Sequence, residues 1–473
     1  MIATFGGQTA GADVAVLATM RSIVAFAAVA VTACSLQQPR YRGADDVSSD
    51  DAARSRDLRV STSSVPGTTS TGTIRTSPEG TSCGADCWRF PEGTLVTVSY
   101  DSDPGSFLHR WGGDCIGNAT TCLVDMSLDH DVSAQFTPAN LAFVTSGTSW
   151  PSAADPVGSV DQACAAAARA AGRPGTYVGW LGTARDSWST RLASANGWVR
   201  TDGKVVATTR EQIVVSQAHL PRLIYPLTVD EAGTPVPATT RVISGFAGDA
   251  CNGWDATATG DVSAALAGGS WIGAGLVSPP VVDPCGTPEH LYCFQTDYDA
   301  VVLPPVPAAG RLAFVDPLSH VPTGGVAELD ALCSTDAKMF GLPGTFVALV
   351  ATTTAPASSR LSTAGLPWVR TDGVPIVAAA ADLFASAGPQ LIAPLDANNR
   401  GDSWPQQIST GAPDLHSLGT ATTTCHDYTD GSAATGRIRG DNTSPGVRMF
   451  GGNEAFQGFD RCDGSTSIYC FQE

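Results

Sequence analysis

The cysteine pattern constrains this chain more than any other feature. The 473 residues include 13 cysteines. Cys34 stands alone at the end of an apolar segment. The rest fall into three sets of four: Cys83, Cys87, Cys115, Cys122; then Cys164, Cys251, Cys285, Cys293; then Cys333, Cys425, Cys462, Cys470. The second and third sets each end in a Cys-x7-Cys spacing. A fold built on such sets must bring distant residues within disulfide reach, and it must form in an oxidising compartment. A reduced protein with zinc is the opposing reading. Cys83-x3-Cys87 with Cys115-x6-Cys122 imitates a four-thiolate site, but the two C-terminal sets, with gaps of many tens of residues, do not. Six disulfides and one odd cysteine are therefore expected.

The odd cysteine has a context. Met20-Arg21 opens a basic start, and Ile23 to Val31 is an almost wholly apolar run. A bilayer span needs about 20 residues, so this run fits a signal-peptide core instead. Val31-Thr32-Ala33-Cys34 then places small residues before a cysteine, and these four residues resemble the lipobox of bacterial lipoproteins. The resemblance implies a signal peptide over residues 1–33 (starting in practice at Met20), cleavage before Cys34, and acylation of Cys34. Because Ser35 rather than Asp follows, it also implies an outer-membrane anchor, facing the surface or the periplasm. Two or three acyl chains hold stably, at about 0.8 kcal/mol per buried methylene. An ordinary cleaved signal, with Cys34 lost or free, is the alternative. Residues 34–57 are polar and without period, as a disordered tether would be.

Length calls for several domains. The apolar fraction of 43% suffices for real cores, while Gly 50 and Pro 31 point to turn-rich structure. A net charge of −18 repels phosphates, so nucleic acid is not an expected partner.

Residues 58–137 alternate apolar and polar positions between turns, as in Leu95-Val96-Thr97-Val98-Ser99-Tyr100, and read as a small all-β unit. Pro78-x-Gly80-x-x-Cys83-Gly84, Gly93-Thr94-x-Val96-Thr97-Val98 and Phe107-x-x-x-Trp111-Gly112-Gly113-x-Cys115 resemble a divergent internalin-type B-repeat. That resemblance implies a β-grasp spacer module. So small a domain buries too little surface to be robust, and local disulfides Cys83–Cys87 and Cys115–Cys122 would make up the shortfall. Trp111 is read as its core aromatic.

The remainder is an internal repeat, read as domains 140–297 and 311–473. Leu141-Ala142-Phe143-Val144 recurs as Leu312-Ala313-Phe314-Val315. Trp198-Val199-Arg200-Thr201-Asp202-Gly203 recurs as Trp368-Val369-Arg370-Thr371-Asp372-Gly373. Tyr292-Cys293-Phe294-Gln295 recurs as Tyr469-Cys470-Phe471-Gln472. A Pro-rich segment, 298–310, reads as a semi-rigid linker. In the first copy Ser159 with Gln162 reads as a capping box opening a helix that Gly172 ends; the second copy has its helix at Val326 to Phe340. Asp202-Gly203 and Asp372-Gly373 read as hairpin turns.

A helix bearing one cysteine, then Pro-Gly-Thr-aromatic, then a final Cys-x7-Cys, resembles endostatin, with its C-type-lectin-like fold, and a related bacterial surface-lipoprotein domain in which Cys-Asn-Gly-Trp appears, as Cys251-Asn252-Gly253-Trp254 does here. The second copy departs from it, with Cys425-His426-Asp427-Tyr428. Four cysteines allow three pairings and spacing does not choose. The resemblance implies nesting: Cys164–Cys293 around Cys251–Cys285, and Cys333–Cys470 around Cys425–Cys462. The fold class expected is thus multidomain: a small all-β module followed by two α+β, lectin-like domains.

Chemistry is sparse. Gly80-Thr81-Ser82-Cys83-Gly84 matches a nucleophile elbow in letters, but no strand-then-helix context accompanies it. His426, Asp427 and Asp430 beside Cys425 suggest acidic oxygens for calcium, against the plainer reading of a polar loop. The calcium-lectin tripeptides are missing, and so are endostatin's edge histidines, so no metal or cofactor is expected. Arg400-Gly401-Asp402 and Arg439-Gly440-Asp441 both spell the integrin-binding tripeptide in loop-like sequence.

The resulting expectation is a non-enzymatic, lipid-anchored binding or adhesion protein whose ligand is a glycan or an envelope or matrix protein. Long segments at 228–284 and 396–461 would carry contacts, with Trp254, Trp271, Tyr428 and Phe450 as candidates, against the plainer reading of each as a core side chain. Two copies would add avidity. A structural envelope lipoprotein with no dedicated ligand is the alternative.

Overall fold

The computed structural model describes residues 54–473, apart from 104, 182–187, 193, 215–221, 244–250, 271–280, 318–320, 399, 401–406 and 452–459. The chain is multidomain and mostly β-sheet, with few helices. None of the described helices is long and apolar enough to cross a membrane.

The first body contains eight strands: β1 (Ser55–Ser64), β2 (Gly72–Ser77), β3 (Thr81–Gly84), β4 (Cys87–Pro91), β5 (Leu95–Ser102), β6 (Ser106–Gly113), β7 (Thr121–Asp125) and β8 (His130–Pro138). Alternation dictates the faces: in β1, Leu58 and Val60 are buried while Arg59 and Ser61 are exposed. One sheet runs β3-β4-β1-β8-β6, the other β2-β5-β7. The first and last strands pair in parallel, Leu58 opposite His130 through Ser64 opposite Phe136. Phe90, Val96, Val98, Trp111 and Phe136 share the core between the sheets. Trp111 is core, and its indole N–H donates to the Ala119 carbonyl at 2.8 Å. Ordered strand begins at Ser55, three residues inside the span read as tether, because Leu58 already has a core to enter.

The first copy follows with β9 (Asn140–Val144), helix α1 (Pro156–Ala170), β10 (Tyr177–Gly179), β11 (Trp198–Arg200), β12 (Val205–Ala207), β13 (Arg241–Ile243), β14 (Asp261–Leu266), β15 (Val281–Pro284) and β16 (His290–Gln295). The second has β17 (Arg311–Val315), helix α2 (Gly325–Met339), β18 (Phe346–Ala348), β19 (Trp368–Arg370), then short irregular strands including β20 (Gln407–Ser409), β21 (Gly436–Arg437) and β22 (Arg439–Asp441), and last β23 (Asp460–Arg461) and β24 (Tyr469–Gln472). The sequence repeat is a topological repeat. β9 lies parallel to β11 and antiparallel to β16, and β10 joins β16. In the same way β17 lies parallel to β19 and antiparallel to β24, and β18 joins β24.

Each long helix is bracketed to the strand after it. Asp161 on α1 accepts from the Gly179 backbone at 2.7 Å and pairs with Arg191. Asp330 on α2 accepts from the Ala348 backbone at 2.9 Å and pairs with Arg360 at 2.6 Å. The expected cap on α1 is corrected. Asp155, not Ser159, is the N-cap: its carboxylate accepts from the Gly158 N–H at 3.0 Å, and Pro156 fills the first turn where no N–H is needed. Ser159 is one turn inside, where its hydroxyl donates to the Pro156 carbonyl at 2.9 Å.

All twelve described cysteines form disulfides: the local pairs Cys83–Cys87 and Cys115–Cys122 in the β-module, and in the copies Cys164–Cys293 around Cys251–Cys285 and Cys333–Cys470 around Cys425–Cys462, the nesting that the endostatin resemblance implied. The long bonds staple α1 to β16 and α2 to β24. The inner bonds spring from an unusual turn. Cys251 to Trp254 have φ of 53°, 51°, 81° and 73°, and Cys425 to Tyr428 have 52°, 52°, 55° and 64°. Each is one left-handed turn, a conformation that costs L-residues roughly 1–2 kcal/mol apiece. It aims the first and fourth side chains inward together, so that a cysteine and an aromatic ring are both buried.

The copies are not beads on a spacer. Ile224 and Tyr225 of the first pack in one cluster with Val374, Ile392 and Ala393 of the second. Across this seam Arg222 reaches Asp372 at 2.8 Å and Asp396 at 3.0 Å. Arg370, fully buried, reaches the same two carboxylates at 2.7 Å each. Ser270 also donates its N–H to the Thr443 carbonyl at 3.0 Å. The linker is pinned as well: Ala308 donates to Gly373 at 3.0 Å, and Asn118 of the β-module donates to the Leu303 and Pro304 carbonyls at 3.3 and 3.0 Å.

Candidate functional site

The aromatic contacts expected from sequence are corrected by burial. Trp254 is 4% exposed, Tyr428 0% and Phe450 1%. Trp254 packs edge-on to Trp150 and accepts its indole N–H on the backbone carbonyl. Tyr428 donates to the Ala351 carbonyl at 3.2 Å, and burial pushes its phenol far above the usual range. Phe450 stacks at a tilt on Tyr469. The left-handed turns explain two of the three, since they direct the fourth residue to the core. Trp271 and the lipidation candidate Cys34 lie outside the described residues.

The second integrin-type tripeptide is corrected too. Arg439-Gly440-Asp441 is strand β22, paired with β20, not a loop. A Cβ on Gly440 would meet the Met449 carbonyl, and Asp441 accepts from Thr443 and Ser444. Its carboxylate is spent on its own turn. Gly401 and Asp402 of the first tripeptide lie outside the described residues.

Candidate metal chemistry disperses. Asp427 accepts from the Thr353 N–H at 2.7 Å and its hydroxyl at 2.6 Å. Asp430 faces His426 at 3.2 Å and also takes Ser432 and Thr435. Those hydrogen bonds, Ser432 first, hold the Asp430 carboxyl down at about 2. One cluster among the described residues has ligand-like proximity, Asp57 with Cys83 and Cys87. Its two sulfurs are bonded to each other and offer no thiolate. The elbow-like serine is Ser82 in hairpin β3–β4, bonded back to the Gly84 carbonyl.

A concave site does form where the β-module meets the end of the first copy and the start of the segment read as linker. Between the β-module and the first copy lies an open cleft of about 430 Å³. The module supplies the turn Gly67–Ser70 and the Gly105–Ser106 corner; the first copy supplies Asp297, Tyr298 and Asp299 as the chain leaves β16. Local rules build both walls. Gly67 and Gly105 have φ of 85° and 78°, the left-handed corners that let the chain reverse. Buried Asn140 clamps the Tyr298 backbone from both sides, donating to its carbonyl at 2.7 Å and accepting its N–H at 3.0 Å. Asp297 accepts the Thr176 N–H at 3.0 Å and the Gln295 amide at 2.7 Å. Gly175 permits this, since a Cβ there would sit 2.4 Å from the Asp297 carboxylate. Asp299 accepts the Asn196 amide at 2.7 Å.

Tyr177 lies close by. Its ring is buried in the first copy's core, and its hydroxyl finds no hydrogen-bond partner among the described residues. Burial, helped by the Asp297 charge, pushes its pKa to about 12. The signal missed in the sequence was Asp297-Tyr298-Asp299 itself, an aromatic bracketed by two acids just after the repeat's last strand. The chain matches no protein-family model and no curated protein.

Proposed function

We propose that this chain is an extracytoplasmic, lipid-anchored binding protein without catalytic function, in which a β-module and two endostatin-like domains form one presenting body. The observation that carries the reading is the bracing. Disulfides tie each helix to its last strand, and a polar seam joins the copies. Binding surfaces are commonly loops positioned by such a rigid frame. The parallel pairing of β1 with β8, flanked by antiparallel β4 and β6, supports the β-grasp reading of the module. The shared sheet order of the two copies supports one fold for both. Twelve paired cysteines support an oxidising compartment, and Cys34 supplies the anchor in this reading.

The test is retention of ligands by the full chain in detergent micelles, displayed against arrays of glycans and of envelope and matrix proteins. Specific retention of one class supports the reading. Retention of nothing, together with weakened envelope integrity and unchanged attachment on gene deletion, would replace it with a structural envelope role.

A further inference from the structure

We propose that the cleft between the β-module and the first copy binds a neutral, polyhydroxylated ligand, a segment of glycan chain, with Tyr298 as the stacking face and Asp297 and Asp299 as acceptors. This deepens the binding reading above and rests on it.

The lining chemistry selects the ligand class. Among the described residues no Lys, Arg or His lines the cleft, so a sulfate, phosphate or uronate would meet two carboxylates and no described cation. The chain's net charge of −18 repels such groups further. Besides the Tyr298 ring, Pro138 and Ala300 are the only apolar side chains among the described lining residues, which argues against a lipid or other greasy ligand, since those sites are lined mainly by hydrophobic side chains. What the cleft does offer is a half-buried tyrosine ring, the exposed Thr69 hydroxyl and two carboxylates, while the Thr68 hydroxyl donates to the Val65 carbonyl and the buried Ser106 hydroxyl accepts the Thr71 N–H. A sugar ring presents the same set in complement: one C–H face for the ring, and hydroxyls that both donate and accept. Hydrogen bonds from hydroxyls to carboxylates are charge-assisted and short.

Pre-organisation favours binding here. Asp297 and Asp299 are held by Thr176, Gln295 and Asn196, and the Tyr298 backbone by Asn140. Little side-chain entropy remains to be lost on binding. Because each carboxylate already accepts internal donors, it suits a neutral O–H partner better than a bare cation. The volume of about 430 Å³ falls within the roughly 300–1,000 Å³ usual for small-ligand sites. The cleft is open at Thr69 and Asp299, both exposed, so a chain can pass through rather than end in it.

The experiment uses the full chain in micelles with three probe sets: neutral hexose and pentose oligosaccharides, sulfated and uronic oligosaccharides, and a lysine-rich peptide. Retention of neutral oligosaccharides alone is expected. Tyr298→Ala should weaken that binding by about tenfold or more, a loss of roughly 1.4 kcal/mol, while Tyr298→Phe should keep most of it. Thr69→Arg, which fills the exposed rim, should block it, and Arg461→Ala, remote in the second copy, should not change it. Thermal midpoints of the variants within a degree or two of the parent exclude misfolding. Neutral-oligosaccharide binding that survives both Tyr298→Ala and Thr69→Arg overturns the cleft assignment but leaves the binding reading standing. Retention of the peptide or of anionic sugars in place of neutral ones overturns the ligand class. Retention of no probe, with a protein ligand captured on the wider arrays, overturns the glycan proposal alone.

Discussion

Arg200 and Arg370 hold the same place in the two copies, and their surroundings show how a repeat becomes a joint. Arg200 pairs with Asp202 and donates to the Pro226 carbonyl at 2.9 Å and to Thr228 at 2.7 Å. Arg370 repeats the first contacts with Asp372 and Pro394, but Asp396 stands where Thr228 would be. The extra carboxylate accepts Arg222 from the other copy. Removing one member of a buried ion group leaves the rest uncompensated, so Asp396→Asn should cost about 3–5 kcal/mol in denaturant unfolding. Thr228→Asp, with Arg200 the one arginine bonded to this position among the described residues, should gain nothing. The seam is also pH-linked through Asp372. Burial raises its carboxyl, but Arg370 and Arg222 outweigh that and hold it below the ordinary 3.8. The unfolded chain therefore takes up this proton first. The stability that Asp372 contributes is complete above 3.8 and is lost as pH falls through the lower folded value. The acid-limb slope of stability against pH should be shallower in Asp372→Asn than in the parent. None of this partnership was legible beforehand. The hexapeptide around Arg370 announced a repeat, but Asp396 and Arg222 are 174 positions apart and look like surface charges until the copies pack.

Among elements, the helices and Asp-Gly hairpin turns of the repeat were readable because their signals are local: alanine-rich turns, glycine after the last turn, Asp-Gly between apolar runs. Helix α1 ends at Ala170, with Gly172 at φ 71°, where the glycine signal placed it. Its start was misplaced because the Ser159 capping-box pattern outweighed Asp155, which lies four residues earlier and caps the helix just before Pro156. Asp155→Ala should lower stability by about 1 kcal/mol, the usual loss for an N-cap carboxylate. Gly158→Ala, which ordinarily favours helix, should fail to stabilise here, because its methyl would strike the Asp155 carboxylate. The left-handed turns were not readable. In Cys251-Asn252-Gly253-Trp254 only Asn and Gly tolerate that region, and in Cys425-His426-Asp427-Tyr428 only His and Asp hint at it. Nothing local asks cysteine, tryptophan or tyrosine to adopt it; the disulfide and the core impose it. Gly253→Ala isolates the backbone effect, since a methyl there meets no atom within 4 Å. A loss of about 1–2 kcal/mol in thermal or chemical unfolding is expected from handedness alone.

For the whole molecule the question is how many cooperative units the covalent and polar braces leave. The disulfides differ in reach. In the chain-entropy view, bond Cys164–Cys293, closing 129 residues, contributes roughly 5 kcal/mol, and Cys83–Cys87, closing four, roughly 2 kcal/mol. Reduction should therefore unfold the two copies before it unfolds the β-module, which has its own core and its own short bonds. The sequence reading treated the copies as separate domains joined by a Pro-rich spacer, because a sequence displays repeats and linkers but not the face one repeat turns to the other. Ile224, Tyr225, Val374 and Ala393 are each nine-tenths or more buried although no strand or helix pattern required it, and the four-membered charge cluster lies beside them. An interface of this kind couples folding, so the tandem should melt as one unit in calorimetry, with calorimetric and van't Hoff enthalpies agreeing for the pair. Ile224→Asp places a carboxylate in the apolar part of the seam, among Tyr225, Val374 and Ala393, where burial opposes it. It should split the single transition into two, one for each copy, while all twelve cysteines stay paired. If the parent already melts in two steps, or if Ile224→Asp lowers the midpoint without dividing the transition, the copies are independent domains that only touch.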